Sequence, residues 1–265
     1  IYLQVIWAIG LSMLALSALL WLPRALLIGL GLLLVAGHNL LDGVHFEPGH
    51  WAHVPWAVLH DRGWIEVSEG LRLRTSYPLL PWIGVIALGY GIGPWFGRGS
   101  DAGLRRRRLL ATAGGALGVF FVLRWLNGYG EKPWATGETA VQTLMGFFNI
   151  TKYPPSLLFL ALTLGIGLLL LVAFERRNDG RVVRWLAVFG AAPMFFYLLH
   201  LYVLKLLYVL ALAWWGANHG AYFGFDSVLA VWGVAVLLAL ALYWPVGWFA
   251  RLKARRRDIG WLKYL

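Results

Sequence analysis

Cysteine is missing from this chain of 265 residues, and charged side chains make up only 13% of it. The lack of cysteine excludes disulfide bonds and thiolate chemistry. Soluble domains carry roughly twice that charged fraction, whereas here 60% of the residues are hydrophobic and the mean hydropathy is +0.68. Several apolar runs approach the ~20 residues that a helix needs to cross a bilayer. The composition therefore predicts an all-α polytopic membrane protein.

About seven membrane-spanning helices are expected, in a single transmembrane domain over residues 1–265. Their approximate bounds are 4–22, 25–41, 78–97, 109–127, 154–174, 186–214 with an interruption near Pro193, and 228–249. The glycine-rich segments 84–89 and 89–93 would allow neighbouring helices to approach closely. Because residue 1 is isoleucine and no signal peptide precedes the first apolar run, we also expect an N-terminal portion before Ile1.

Acidic residues are scarce, with 12 Asp and Glu against 23 Lys and Arg, and the basic residues are unevenly placed. Most lie in short connections and in the tail, at 22–24, 98–108, 175–184 and 250–265. The longer, aromatic connections are 42–77, 128–153 and 216–227. The positive-inside rule places the basic connections and the C-terminus in the cytoplasm. The net charge of +11 is thus a topology signal that suits anionic lipid, and no nucleic-acid partner is expected.

The stretch 147–156 places an amide, a cation and a phenol directly before an apolar segment. These groups belong to Asn149, Lys152 and Tyr153. A cation at such a position is costly unless it faces a polar cavity or a partner. We therefore expect the other helices to bring polar groups around this stretch. The alternative is that Lys152 and Tyr153 only anchor the helix at the interface.

His38 and Asp42 close the second predicted span. On a helix they would share a face, being four residues apart. A carboxylate that fixes the tautomer of an imidazole makes it a better general base. The pair is therefore a candidate catalytic pair, and Asn39 lies between its members. The alternative is a capped helix end with a hydrogen-bonded histidine.

The connection 42–77 contains four histidines, and acidic residues lie among and beside them. The candidate ligands are His45, His50, His53, His60, Glu47, Asp61 and Glu66. Their spacing matches no closed zinc ligand set, so no metal is expected. Recurrent tryptophans favour an interfacial amphipathic segment, which would act as a lid over a site.

Three further ionisable residues lie within predicted spans. Arg124 either reaches toward the lipid headgroups or points inward to an anionic group. His200 and Lys205 lie in the interrupted sixth span, where ionisable groups suggest function. The alternative for His200 is a histidine bonded to a carbonyl of a neighbouring helix. A functional site requires His38, Lys152 and His200 to converge on one hydrated chamber.

Five segments together resemble bacterial members of the heparan-α-glucosaminide N-acetyltransferase-like family of transmembrane acyltransferases. They are 3–13, 37–42, 77–85, 149–157 and 195–200. The resemblance implies an inner-membrane enzyme that passes acetyl from cytoplasmic acetyl-CoA to a sugar amine or hydroxyl on the far side. The family places its catalytic histidine in a segment that would precede Ile1. The residues named here would then form the supporting half of a site.

Within that resemblance, His38 oriented by Asp42 would assist deprotonation of the saccharide acceptor. The acceptor and acyl path would be lined by Asn39, Arg124, Asn149, Lys152, Tyr153, His200 and Lys205. The phosphates of CoA would meet Arg105, Arg106, Arg107 and Arg108, because arginine supplies forked donors. Membrane lipids and either a second copy or another membrane subunit are the expected partners.

Two other functions stay open at this point. A transporter of an envelope lipid or saccharide would use the same intramembrane His200 and Lys205, and a broken helix favours it. A non-catalytic membrane subunit of a larger complex is the third possibility. Binding of CoA separates the enzyme from both.

Overall fold

The computed structural model describes residues 2–177 and 179–264 of the chain. Its contacts group the residues into two compact units, Ile1–Ala173 and Phe174–Leu265, and each unit is described by itself. The assignment of the whole chain to one transmembrane domain remains a prediction.

The first unit holds seven helices and a small sheet. Its elements are β1 (Tyr2–Leu3), α1 (Val5–Leu19), α2 (Arg24–Gly37), a 3-10 turn (His38–Leu41), α3 (His53–Leu59), β2 (Trp64–Ser68), β3 (Leu71–Thr75), α4 (Leu79–Ile92), a second 3-10 turn (Gly93–Phe96), α5 (Ala102–Leu126), α6 (Ala140–Phe148) and α7 (Leu157–Arg176). α7 ends three residues beyond the boundary between the units.

Helices α2 and α4 pack closely because glycines replace side chains where they meet. A Cβ atom added to Gly84 would lie 3.0 Å from the carbonyl oxygen of Gly31, and one added to Gly31 would lie 3.1 Å from that of Gly84. Gly91 faces Ile28 in the same way. The predicted close approach is thus confirmed at Gly84 and Gly91, whereas a Cβ at Gly89 would meet open space.

The connection 42–77 contributes two strands to a small sheet that was not expected from the sequence. β2 and β3 form an antiparallel hairpin in which Trp64 pairs with Arg74, and β1 joins β3 in parallel through Tyr2 and Arg74. The strand order is therefore β1-β3-β2. Only α3 is helical within this connection, so the expected amphipathic segment shares it with strands.

The helices α5 and α7 meet in a core of Phe120, Leu158 and Ala161. Phe147, from α6, packs against that core. Aromatic and aliphatic side chains bury much apolar area there, which is the main favourable term in packing. This packing brings the end of α5 and the start of α7 together with the loop between them.

The second unit consists of α8 (Arg181–Ala191), α9 (Pro193–Trp215), α10 (Val228–Arg255) and a 3-10 turn (Gly260–Tyr264). The predicted interruption near Pro193 is confirmed. Ala192 leaves the helical conformation at φ −140° and ψ 62°, and Pro193 opens α9, where its missing N–H costs nothing. Ala192, Phe249 and Leu262 form the core of this unit.

Six helices of the described chain are long and apolar enough to cross a membrane. They correspond to the second to seventh predicted spans. The first span is α1, which has only 15 residues and is therefore about 22 Å long, short of the ~30 Å hydrocarbon core. The all-α multi-pass fold is confirmed. The cytoplasmic position of the C-terminus remains a prediction.

Candidate active site

A polar cavity of about 360 Å³ lies in the first unit beside the start of α7. We call it the polar cavity. Its walls come from the end of α2, from the segment around α3, and from the two segments near residues 131 and 151–156. The ionisable side chains that line it include Asp42, His45, His60, Asp61, Arg62 and Glu131. The chain thus brings two histidines and three carboxylates to one cavity.

His60 is bonded to Asp42, with 3.1 Å between the imidazole Nε2 and the carboxylate Oδ1. The His60 side chain is 2% exposed, while that of Asp42 is 51% exposed. Burial lowers the pKa of His60, and nearby His38 lowers it further, although Asp42 opposes the shift. His60 is therefore neutral near pH 7. With Nε2 donating to Asp42, its Nδ1 carries the lone pair, and this buried atom has no partner among the described residues.

His45 forms the second imidazole–carboxylate pair, with Asp61, at 3.0 Å between Nδ1 and Oδ2. Its surroundings are the opposite of those of His60, because its side chain is exposed. The hydrogen bond and the charge of Asp61 raise the pKa of His45. One cavity therefore holds one histidine that favours the neutral form and one that favours the cation.

The predicted pairing of His38 with Asp42 is wrong. Asp42 accepts instead from His60 and from the Asn39 amide, the latter at 2.9 Å. Both ring nitrogens of His38 face carbonyl oxygens: Nε2 lies 2.8 Å from that of Pro155, and Nδ1 lies 3.1 Å from those of Leu34 and Val35. The helix tightens into a 3-10 turn at His38, so the assumed four-residue spacing of an α-helix does not hold there.

The start of α7 is held by groups from three different places. The Leu157 amide donates to Asn39 Oδ1 at 2.8 Å, the Leu158 amide donates to the Gly130 carbonyl at 3.2 Å, and the Phe159 amide donates to Ser156 Oγ at 3.0 Å. The first turn of a helix leaves these donors without intrahelical partners. Asn39 is therefore a capping residue here, and both ends of its amide are occupied.

Glu131 ties the loop after α5 to the residues before α7. Its carboxylate accepts from the Thr151 amide and hydroxyl and from Ser156 Oγ, the two hydroxyl contacts each at 2.7 Å. Burial alone would raise the pKa of Glu131, but these donors and the Lys132 amide outweigh burial and lower it. Glu131 is thus an ionised anchor. This role of Glu131 was not predicted from the sequence.

The sequence of residues 1–122 matches the family model described as "Heparan-alpha-glucosaminide N-acetyltransferase, catalytic". Over this segment the chain is similar to that family. The resemblance noted in the sequence is thereby confirmed, and the matched segment includes both imidazole–carboxylate pairs. No curated protein and no solved structure matches the chain. Similarity to this acetyltransferase family over residues 1–122 makes the polar cavity a candidate for acetyl transfer.

Arg124 follows the matched segment and points inward, as one of the two expectations had it. It lines a cavity together with Glu131 and interacts with the charge of that carboxylate, but its hydrogen bonds go to the backbone. The side chain is 2% exposed. Its guanidinium donates to four backbone carbonyl oxygens, those of Phe147 at 2.6 Å, Lys132 at 2.9 Å, Gly146 at 2.8 Å and Asn149 at 2.9 Å. Arg124 therefore fixes the loop between α5 and α7, which carries Glu131.

Of the predicted residues just before α7, only Tyr153 lines the polar cavity. Its hydroxyl lies 2.9 Å from that of Tyr77, and Arg62 and Lys152 lie over its ring at 5.5 and 5.1 Å. Lys152 itself is exposed. Asn149 is exposed as well, and lines another cavity of about 270 Å³ beside Arg124.

Helix α7 begins at Leu157, so the two prolines precede it rather than open it. They lie in a tight turn in which Lys152 and Pro155 form an isolated bridge. The turn presents the Pro155 carbonyl to His38 and Ser156 to Glu131. The stretch 147–156 thus connects the end of α2 to the loop after α5.

The four arginines predicted for CoA lie near the N-terminus of α5. Arg105 donates to Ser100 Oγ at 2.9 Å and lies 5.7 Å from the Phe96 ring centroid, while Arg108 lies 5.8 Å from that of Trp95. Arg107 and Arg108 are exposed. Arginines 105–108 and Arg124 thus occupy opposite ends of one helix.

His200 and Lys205 belong to the second unit. His200 Nδ1 lies 3.0 Å from the Phe196 carbonyl oxygen of its own helix, and its ring stacks on that of Phe196 at 5.3 Å. Lys205 is exposed and lies 5.3 Å from the Tyr208 ring centroid. The carbonyl group that His200 contacts thus belongs to its own helix, whereas the alternative interpretation expected a carbonyl of a neighbouring helix.

The remaining histidines of the connection 42–77 serve local structure. His50 Nδ1 accepts from the Ala52 amide at 3.1 Å, and His53 Nδ1 lies 2.7 Å from the Phe46 carbonyl oxygen. Across the described residues, no group of three or more His, Cys, Asp or Glu side chains could hold a metal ion.

Proposed function

We propose that the protein transfers acetyl from acetyl-CoA to an amine or hydroxyl of a saccharide outside a bacterial plasma membrane. The family match supports acetyl transfer. One structural observation carries the site: His60 and His45 line the same cavity in surroundings that shift their pKa values in opposite directions. Such divergent pairs mark the base and the acid of an active site.

In this proposal His60 is the general base. Asp42 holds the Nε2–H tautomer, and the neutral ring keeps a lone pair on Nδ1. The acceptor nitrogen or oxygen attacks the thioester carbonyl carbon and gives its proton to Nδ1. Since Nδ1 is enclosed in this structure, side chains of the cavity wall must move to admit the acceptor.

His45 is the acid of the same reaction. Asp61 favours its cationic form, and its exposed ring can exchange protons with solvent. When the carbon–sulfur bond breaks, His45 gives a proton to the leaving thiolate, so that CoA departs as the thiol. Proton transfer by positioned groups contributes about 10²–10⁴-fold to a rate.

The acetyl donor would arrive from the opposite end of α5. About 18 residues separate Arg105–Arg108 from Arg124, and at 1.5 Å per residue this is roughly 27 Å. That length is close to the ~30 Å hydrocarbon core. Exposed arginines at one end suit the phosphates of CoA, while the polar cavity at the other end would receive the acceptor.

Labelled acetyl transfer tests this function directly. Protein in lipid nanodiscs is given acetyl-labelled acetyl-CoA and glucosamine, and labelled product is separated from donor. We expect transfer, and a loss of about 10²-fold or more in His60→Gln. His219→Gln is the matched control, because His219 also pairs with a carboxylate, Asp226 at 3.0 Å, but lies in the second unit.

Two results would overturn the proposal. One is a folded protein that retains no labelled acetyl-CoA, or that retains label which unlabelled CoA does not displace. The other is saccharide flux into protein-containing liposomes without any acyl donor, which would establish the transporter instead.

A further inference from the structure

A second cavity of about 270 Å³ adjoins the polar cavity, and we call it the side cavity. The two cavities share Arg62 and Tyr153 in their walls. The side cavity is completed by Tyr2, Gln4, Ser76 and Tyr77. A molecule whose reacting group occupies the polar cavity could therefore extend past Tyr153 into the side cavity.

The lining of the side cavity is rich in hydrogen-bond donors. Arg62 supplies a guanidinium, Gln4 an amide, and Ser76 and the tyrosines supply hydroxyls. None of its described lining residues is acidic, whereas Asp42, Asp61 and Glu131 line the polar cavity. Lys152 adds a second cation near Tyr153. The side cavity is thus suited to a negative group and the polar cavity is not.

The surrounding fold fixes the backbone at Tyr2 and Ser76 and joins the rings of Tyr77 and Tyr153. Tyr2 pairs with Arg74 in the sheet, and the Ser76 amide donates to the Leu3 carbonyl at 3.2 Å. The Tyr77 and Tyr153 hydroxyls are 2.9 Å apart. This bond holds the two rings against each other in the wall of the side cavity. Preorganised donors lose little entropy when they bind an oxyanion.

We propose that the side cavity is an oxyanion subsite, and that the acceptor is a saccharide carrying a phosphate or carboxylate near the group that is acetylated. Arg62 makes the charge-assisted contact to the oxyanion, and the Gln4 amide and the Ser76 hydroxyl donate beside it. This assignment of the acceptor rests on the acetyltransferase function, but binding at the subsite can be measured without any acetyl donor.

The test compares glucosamine 1-phosphate with glucosamine as ligands of the protein in phosphatidylcholine nanodiscs, by isothermal titration calorimetry. We expect the phosphate ester to bind at least about 10-fold more tightly, as loss of one hydrogen bond to a charged group costs about that factor. Arg62→Gln should remove the difference. Arg74→Gln should retain it, since Arg74 lies over Trp64 and not in the cavity wall.

Equal affinity of the wild-type protein for the two ligands would overturn the subsite, as would an unchanged preference in Arg62→Gln. Because Arg62 is exposed, this variant should fold, and Arg62→Lys should retain part of the preference. Acetyl transfer that occurs without any phosphate preference would refute the subsite alone. A phosphate preference without acetyl transfer would refute the proposed function and leave the subsite.

A lipid headgroup could supply the same phosphate chemistry. The titrations are therefore repeated in nanodiscs that contain phosphatidylglycerol. Affinity for glucosamine 1-phosphate that is the same in both membranes supports the saccharide as source. A drop with phosphatidylglycerol that disappears in Arg62→Gln would assign the site to lipid and overturn the acceptor assignment.

Discussion

His38 Nε2 lies 2.8 Å from the carbonyl oxygen of Pro155, a residue 117 positions further along the chain. The bond joins the end of α2 to the turn before α7, and both partners are buried. The next residue, Asn39, caps α7 itself. His38 and Asn39 thus attach the end of α2 to the start of α7. The sequence motif of His38 and Asp42, which resembles a catalytic pair, therefore has a structural role at His38.

His38→Ala should destabilise the protein without altering the pH dependence of acetyl transfer. The variant leaves a buried carbonyl without its donor, which costs about 1–3 kcal/mol. Thermal unfolding followed by tryptophan fluorescence measures the loss. A changed pH profile with unchanged unfolding would instead restore the base role predicted for His38.

Acetyl transfer should persist through neutral pH and fall in the mildly acidic range. The pKa of His60 lies below its ordinary value of 6.5, and a general base acts only when deprotonated. The charge of Asp42 raises that pKa, so Asp42→Asn should move the acid limb to still lower pH while it lowers the rate. The measurement is kcat against pH. An acid limb that moves upward would contradict the pairing.

Glu131→Gln should make the free energy of unfolding less dependent on pH in the acidic range. The folded-state pKa of Glu131 lies below its ordinary value of 4.5, so its ionised form contributes stability that is complete above that value and is lost as pH falls through the folded pKa. We expect wild type and variant to differ most near neutral pH and to converge in acid. Glu66→Gln is the control, because Glu66 forms an exposed ion pair with Arg72.

Arg124→Lys should cost roughly 3–5 kcal/mol of unfolding free energy. Lysine cannot reach four carbonyls arranged for a guanidinium, and breaking buried charged contacts is expensive. Chemical denaturation in detergent gives the value. Arg107→Lys, an exposed change on the same helix, should be nearly neutral. Comparable losses in both would show that the four bonds contribute little.

Gly84→Ala should destabilise the packing of α2 against α4, by about 1–3 kcal/mol for a methyl group forced into a filled space. The added atom meets Leu34 and Val35 at 2.9 Å and backbone at 3.0 Å. Gly89 lies further along the same helix, where an added Cβ atom would meet open space. Gly89→Ala should therefore be neutral or slightly stabilising through helix propensity. The order of the two melting temperatures decides the point.

Apolar length and proline placement were enough to predict the long helices and the break at Ala192–Pro193. The hairpin at 64–75 was missed although Leu71, Leu73 and Thr75 alternate with Arg72 and Arg74 in the period of a strand. The pairing of Asp42 with His60 could not be predicted from the sequence, because it depends on how the connection between them folds back. Sequence spacing along one helix favoured His38 instead, and the 3-10 turn there invalidated that spacing.

Arg124 recognises only peptide carbonyls in the segment that it holds. Every residue type has the same backbone carbonyl oxygen. The hydrogen bonds of Arg124 therefore do not depend on which side chains occupy positions 132–149. Replacements on the solvent side of that segment can then alter what is recognised at the neighbouring cavities while the attachment stays intact. The attachment of this segment to Arg124 is therefore independent of the side chains that it presents to the cavities.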